Sequence, residues 1–388
     1  MSSENYHPFA PAPPPPTDLG LYRVLSPRAG IRVSPFCLGA MTFGNKWNNF
    51  MGSISKEASF ELLDAFYDMG GNFIDTAGNY QDEESEKIIG EWMEQRGNRD
   101  QMVVATKYST NYKPGDPSVK QKISYVGNNI KNMTVSVENS LKKLCTSYID
   151  ILYIHWWDWD TSIKEVMDGL HNLVASGKVL YLGISDAPAW IVSQANQYAE
   201  DHGKTPFVIY SGKWNVLDRS FERDIIPMAR LNGIALAPWQ VLGAGRLRSD
   251  TEEQRREQSG EQGRSVSGED WRRTDEEKRA CRALEKVARE IGAKNFRSVA
   301  IAYVMQKTPY VFPIIGSRSV ESFKENMEAL KLSLTPEQVR YIEDECPSFD
   351  IGFPHNLIGD GTSTNFMVTM GGHCQRVSLP PALRPPTS

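Results

Sequence analysis

Between positions 36 and 315, short apolar runs rich in β-branched residues alternate with amphipathic stretches of helical period. This alternation constrains the chain most, because each strand is followed by a helix that must cover it. The runs fall at 36–39, 72–75, 101–106, 149–155, 179–185, 207–210, 233–238 and 310–315. Two of the intervening helices are clear. Residues 56–69 carry Phe60, Leu62, Leu63, Phe66 and Met69 on one face and stop at Gly70-Gly71. Residues 162–176 repeat the pattern with Ile163, Val166, Met167, Leu170 and Val174, and stop at Gly177. Eight strands alternating with helices predict an α/β fold, a closed parallel (β/α)8 TIM barrel. An open doubly wound sheet would carry G-x-G-x-x-G after its first strand. Here the stretch is Leu38-Gly39-Ala40-Met41-Thr42-Phe43-Gly44, and no Walker A loop occurs.

The flanks divide the chain into a Pro-rich tail at 1–20, a barrel at 21–345 and a C-terminal tail at 346–388. The run Ala10-Pro11-Ala12-Pro13-Pro14-Pro15-Pro16 favours polyproline II and cannot feed a sheet with backbone donors. Residues 21–25 and 31–33 predict a hairpin around Ser26-Pro27-Arg28-Ala29-Gly30. A last short helix is read at 336–344. One segment breaks the rhythm. Residues 246–273 are charged and nearly free of apolar side chains, a composition that cannot bury enough surface to order itself. Placed after the seventh strand, it reads as a solvated loop above the barrel mouth, or as a flap that orders over a bound cofactor.

Composition removes several classes of function. A net charge of −5 offers no basic excess for a nucleic acid. Cys37, Cys145, Cys281, Cys346 and Cys374 are scattered and never in CxxC spacing. That pattern argues for reduced thiols and against zinc or a disulfide framework. No stretch approaches the roughly 20 apolar residues of a membrane span, and no leader is read. The expected setting is cytoplasmic, with no membrane partner.

Four residues then stand out by position. Asp75 ends the second strand, Tyr80 follows in the next loop, Lys107 ends the third strand and His155 ends the fourth. In a (β/α)8 barrel the C-terminal strand ends share one mouth. A phenol with its usual pKa near ~10 releases a proton poorly at neutral pH. An adjacent ammonium is expected to pull that pKa down, and a carboxylate to hold the ammonium charged. An imidazole can donate a hydrogen bond to a substrate oxygen. The set suits protonation of a forming alkoxide, half of carbonyl reduction. The other half is a hydride, which no side chain supplies, so a nicotinamide cofactor is implied. A metal hydrolase would need several convergent ligands, and of the six histidines only His155 ends a strand.

On these residues the chain resembles the aldo-keto reductase family over residues 22–334. The matching stretches are Asn72-Phe73-Ile74-Asp75-Thr76-Ala77 with Tyr80, Thr106-Lys107, and Tyr153-Ile154-His155-Trp156. Lys213-Trp214-Asn215-Val216-Leu217 and Gly316-Ser317-Arg318 resemble the fungal branch of aryl-alcohol dehydrogenases and norsolorinic acid reductases. The resemblance implies reduction of an aromatic or polyketide carbonyl in secondary metabolism, with Tyr80 as general acid, Lys107 and Asp75 tuning it and His155 orienting the substrate.

The resemblance also implies NADPH and its contacts. Gly39, Met41, Thr42 and Asp75 lie near ribose and nicotinamide. Trp239 stacks on the ring, with Gln240 beside it. Leu242, Gly243 and Gly245 form the pyrophosphate loop. Gly316, Ser317, Arg318, Ser322, Glu325 and Asn326 take the adenosine phosphate end. Arg318 favours NADPH over NADH, since a guanidinium suits a 2′-phosphate. Three positions depart from the family pattern: Asp186 follows Ser185 where Asn is usual, Ser211 replaces Gln, and Ser322 replaces Gln or His. An ionised Asp186 accepts from the carboxamide but cannot donate to it. Trp156 and Trp157, with Trp159 beyond them and Trp47 opposite, are expected to wall a flat aromatic substrate around Tyr80 and His155. The alternative class is an NADPH-binding regulatory or redox-sensing module with little turnover.

Overall fold

The computed structural model describes residues 9–48, 51–260 and 271–385. An antiparallel hairpin, β1 (Arg23–Ser26) and β2 (Ala29–Val33), opens the fold. Eight parallel strands follow: β3 (Cys37–Gly39), β4 (Phe73–Asp75), β5 (Val103–Tyr108), β6 (Ile149–Ile154), β7 (Val179–Ser185), β8 (Phe207–Lys213), β9 (Ala235–Trp239) and β10 (Ile314–Gly316). Around them run α1 (Lys56–Asp68), α2 (Glu84–Arg96), α3 (Ile130–Lys143), α4 (Ile163–Ala175), α5 (Ala189–Asp201), α6 (Ile225–Asn232), α7 (Asp250–Ser259), α8 (Asp275–Glu290), α9 (Phe296–Lys307), α10 (Val320–Asn326) and α11 (Pro336–Glu345). The strands pair in chain order from β3 to β9, and β10 pairs with β3. Closure comes from the bridge Leu236–Val311, where Phe312 N donates to Leu236 O over 2.8 Å. The result is the (β/α)8 barrel that the alternation predicts.

The strand period of two sorts side chains into two cores. Leu38, Ile74, Val104, Leu152 and Ile184 point outward and pack under the helices. Cys37, Phe73, Ala105, Ile151, Tyr153, Ile209 and Ala237 point inward, and Leu25, Ala29 and Val33 of the hairpin belong to this same core. The hairpin thus packs onto the barrel interior, and Phe73, Val103 and Val208, all near strand starts, locate that contact at the N-terminal end. The opposite end is left for chemistry.

Several boundaries differ from the sequence reading. The eighth run shortens to β10, because Tyr310 and Phe312 pair with Leu236 through the closing bridge and not in a ladder. The larger difference is the charged segment. Its described part contains α7, capped by Ser249, whose Oγ accepts from Glu252 N. Buried ion pairs order it in place of an apolar face. Glu253 receives Arg248 at 2.9 Å and Arg273 at 2.7 Å, and all three side chains are buried. Residues 261–270 of that segment, and 1–8 of the Pro-rich tail, lie outside the described residues. Among the described residues no helix is long and apolar enough to cross a membrane.

Candidate active site

Strand parity builds the site. Inward residues Phe73, Ala105 and Tyr153 form one layer, and two positions further along each strand lie Asp75, Lys107 and His155. The ion pair is buried, with Asp75 and Lys107 only 4% and 5% exposed. Lys107 Nζ stands 2.6 Å from both Asp75 oxygens and 2.8 Å from Thr76 O. Burial works against the Lys107 charge, but the Asp75 carboxylate and Tyr80 more than reverse it, so its pKa rises above 10.5. The ammonium is therefore a fixed cation. Burial raises the Asp75 carboxyl, while Lys107 opposes that rise.

Tyr80 reaches the same point from the loop between β4 and α2. Lys107 Nζ lies 5.1 Å from the centroid of its ring. Its phenol departs from expectation: burial pushes the pKa above 10.0, and the pull of Lys107 only offsets part of that rise. Tyr80 is thus a firmly protonated acid in the resting site. The ring of His155 packs edge-on to Tyr80, with centroids 5.8 Å apart. Burial, then the Lys107 charge, lowers His155 to about 3, so it is neutral at physiological pH. Trp156 Nε1 donates to Thr110 Oγ1 over 3.0 Å, and Thr110 Oγ1 lies 3.1 Å from His155 Nδ1. The hydroxyl keeps its own hydrogen free for Nδ1, and a neutral ring paired in that way carries its proton on Nε2.

These residues open onto a cavity of about 810 Å³. A profile of the aldo/keto reductase family matches residues 35–345. The chain is 59% identical, over 97% of its length and 99% of the relative's, to an aryl-alcohol dehydrogenase [NADP(+)] of Phanerodontia chrysosporium. It is 48% identical to norsolorinic acid reductase A of Aspergillus parasiticus, covering 92% of this chain and 89% of that one. The aldo-keto reductase ausK of Emericella nidulans is 50% identical, over 90% and 87%. The chain belongs to the aldo/keto reductase family.

In this aldo/keto reductase the cavity runs from Tyr80 across the barrel mouth. Its walls include Gly39, Met41, Thr42, Ser185, Asp186, Ser211, Trp239, Gln240, Leu242 and Gly245, and at the far end Gly316, Ser317, Arg318, Ser322, Glu325 and Asn326. Gly243 is not among them; it lines a neighbouring cavity of about 720 Å³ behind Trp239. Trp47 lines the site and packs edge-on to Tyr80, with centroids 6.1 Å apart. Trp156 and Trp157 do not line it. With His155 pointing inward, strand period turns the next residue outward. Trp156 is spent on Thr110, Trp157 is buried in the outer core, and Trp159 is 65% exposed. The expected tryptophan wall reduces to Trp47.

The sequence reading missed the cavity's cationic rim. Arg246, Arg248, Arg256 and Arg297 line it, with Glu252 and Trp271. For Arg246, Arg248 and Arg256 the signal was the arginine density of the charged segment; Arg297, in α9, carried none. The donor set fits a phosphorylated nicotinamide dinucleotide. Ser211 Oγ is fully buried without a hydrogen-bond partner, so it is available to a polar group of a bound cofactor such as a carboxamide. A Cβ on Gly39 would come within 2.9 Å of Ile314, so the strand ends there are packed as tightly as they allow. Arg318 lies so close over Gly52 that a Cβ there would approach its guanidinium to 2.5 Å. Asp186 accepts from Trp239 Nε1 at 3.3 Å, which ties the position that departs from the family pattern to the indole at the barrel mouth.

Proposed function

We propose that this aldo/keto reductase uses NADPH to reduce aromatic or polyketide-type aldehydes and ketones to their alcohols. The reading rests above all on one observation: a phenol and a buried, carboxylate-locked ammonium meet at one end of a cavity whose other end is lined by arginines. The names of the relatives, aryl-alcohol dehydrogenase [NADP(+)] and norsolorinic acid reductase A, support the cofactor and the aromatic substrate class.

Gly39, Trp239 and Ser211 would hold the nicotinamide, and Arg318 with the rim arginines the phosphates. When bound, NADPH supplies the hydride. Tyr80 donates its proton to the substrate oxygen, and Lys107 stabilises the phenolate left behind, an interaction that grows as charge develops. Asp75 keeps Lys107 charged and aimed. His155, neutral with its proton on Nε2, donates to the same substrate oxygen and orients it. Trp47 supplies an aromatic wall for a flat ring. The five cysteines are all free, in keeping with a reducing cytoplasmic setting. The regulatory-module reading has no comparable support.

The test is NADPH consumption by purified protein with aryl aldehydes, aryl ketones and glucose. Wild type is expected to favour aryl carbonyls, and Tyr80→Phe to lose roughly 10²–10⁴ in kcat, the usual contribution of general acid catalysis. No turnover above Tyr80→Phe with any carbonyl would defeat the reading. Comparable turnover of glucose would defeat its substrate class.

A further inference from the structure

A second buried ionic cluster lies beside the active site and takes no part in the chemistry above. Lys143, at the end of α3, is 7% exposed, and Glu86, in the first turn of α2, is 0% exposed. Lys143 Nζ stands 2.6 Å from Glu86 Oε2, 3.3 Å from Glu83 Oε2 and 3.0 Å from Gly78 O. Glu86 Oε1 accepts from Thr106 Oγ1 over 2.5 Å, next to Lys107 in β5. Gly78 N donates to Lys107 O over 3.1 Å. The peptide two residues before Tyr80 is therefore held on its nitrogen by β5 and on its oxygen by Lys143.

The other side of Tyr80 is strained. Gln81, Asp82 and Glu83 have φ of 51°, 50° and 80°, three successive side-chain-bearing residues in the left-handed region. Such residues are strained and persist only where surroundings over-determine them. They are over-determined here. Gln81 bonds Met41 O and Gly52 O, each over 3.0 Å, and Glu83 bonds Lys113 at 2.5 Å and Asn139 at 2.9 Å. Burying charges in this way seldom adds net stability over apolar packing, so stability alone does not account for the cluster.

We propose that Lys143, with Glu86 and Glu83, is a positioning group: it clamps the loop on both sides of Tyr80 and so fixes the phenol against Lys107. The inference deepens the carbonyl-reductase reading and rests on it for its kinetic arm. Its second arm does not.

The experiment uses the full chain, with Lys143→Met as the first variant. Lys143→Met/Glu86→Gln is the second, which leaves no unpaired buried charge and keeps an acceptor for Thr106. Three quantities are read: kcat with an aryl aldehyde, the NADPH dissociation constant, and the titration of Tyr80 followed by ring ¹³C signals assigned with Tyr80→Phe. The charged groups that act on Tyr80 are Lys107, Asp75 and Asp186. Expected are a kcat loss of about 10–100-fold, the scale of a misplacement near 1 Å, an unchanged NADPH dissociation constant, and a Tyr80 midpoint moved upward as Lys107 loses its hold. An unchanged kcat and midpoint in a folded variant would overturn the proposal. So would a cofactor affinity that falls as far as kcat. If wild type turns over no carbonyl, the reductase reading fails and the Tyr80 midpoint alone decides this one: raised supports it, unchanged overturns it. Should Lys143→Met not fold, the double variant is read in the same way.

Discussion

The two ends of the cavity are built by different rules. At the Tyr80 end, Asp75 and Lys107 are almost wholly buried and held by strand register, and His155 is fixed by one relay through Thr110. At the arginine end, side chains come from a loop, α7, α9 and the turn after β10, and Arg318 is exposed. Strand ends give a position that backbone ladders enforce. The rim gives charges whose positions are set by other charges, such as Glu252 between Arg256 and Arg297. The first end should fail abruptly when one member is removed, and the second by degrees.

Lys107→Met tests the abrupt end. It leaves the Asp75 carboxylate buried without its partner, and breaking a buried pair costs about 3–5 kcal/mol. Chemical unfolding of the variant should register that loss, and Asp75→Asn/Lys107→Met should recover much of it. A single variant within about 1 kcal/mol of wild type would mean that water reaches Asp75 freely, and the contrast between the two ends would collapse.

The same contrast explains what could be read from the chain. Asp75, Lys107 and His155 were legible because a period of two at the end of an apolar run is visible in sequence, and a parallel barrel sends all such ends to one mouth. Trp156 was misjudged by the same rule left unapplied: one step past an inward residue faces outward; Trp157 escapes the rule, because the strand has ended at Ile154 and the chain there turns under the outer core. Tyr80 was located, but not its raised pKa, because burial by surrounding loops is invisible along the chain. α7 escaped because its order comes from Arg248, Glu253 and Arg273, residues 5 to 25 positions apart. Ion pairs leave no apolar stripe to count, so its composition looked like that of a loop.

Arg318→Ala tests the gradual end. The KM for NADPH is expected to rise about 10-fold with kcat little changed, since a phosphate contact acts alike on ground and transition states. The preference over NADH should shrink with it. Raising the salt should narrow the gap between variant and wild type, because exposed charges are screened. A fall in kcat with constant KM would move Arg318 out of the phosphate site.

Asp186 sits between the two ends and should give the smallest effect. It is open to the cavity, yet burial of its surroundings pushes its carboxyl up to about 6, against the hydrogen bond from Trp239. Below that pH the neutral carboxyl carries one donor besides its acceptors, and can serve both halves of a carboxamide. Above it the carboxylate only accepts. The part of NADPH affinity owed to Asp186 should therefore weaken as pH rises through about 6. A 2′-phosphate ionises in the same range and strengthens its hold on the arginines as pH rises, so the raw profile mixes opposite slopes. Asp186→Asn separates them: the variant keeps the phosphate slope and loses the other. The ratio of the two dissociation constants should change a few-fold across the interval, consistent with a neutral hydrogen bond worth about 1 kcal/mol. A ratio flat with pH would place Asp186 away from the carboxamide and make Ser211 alone its partner.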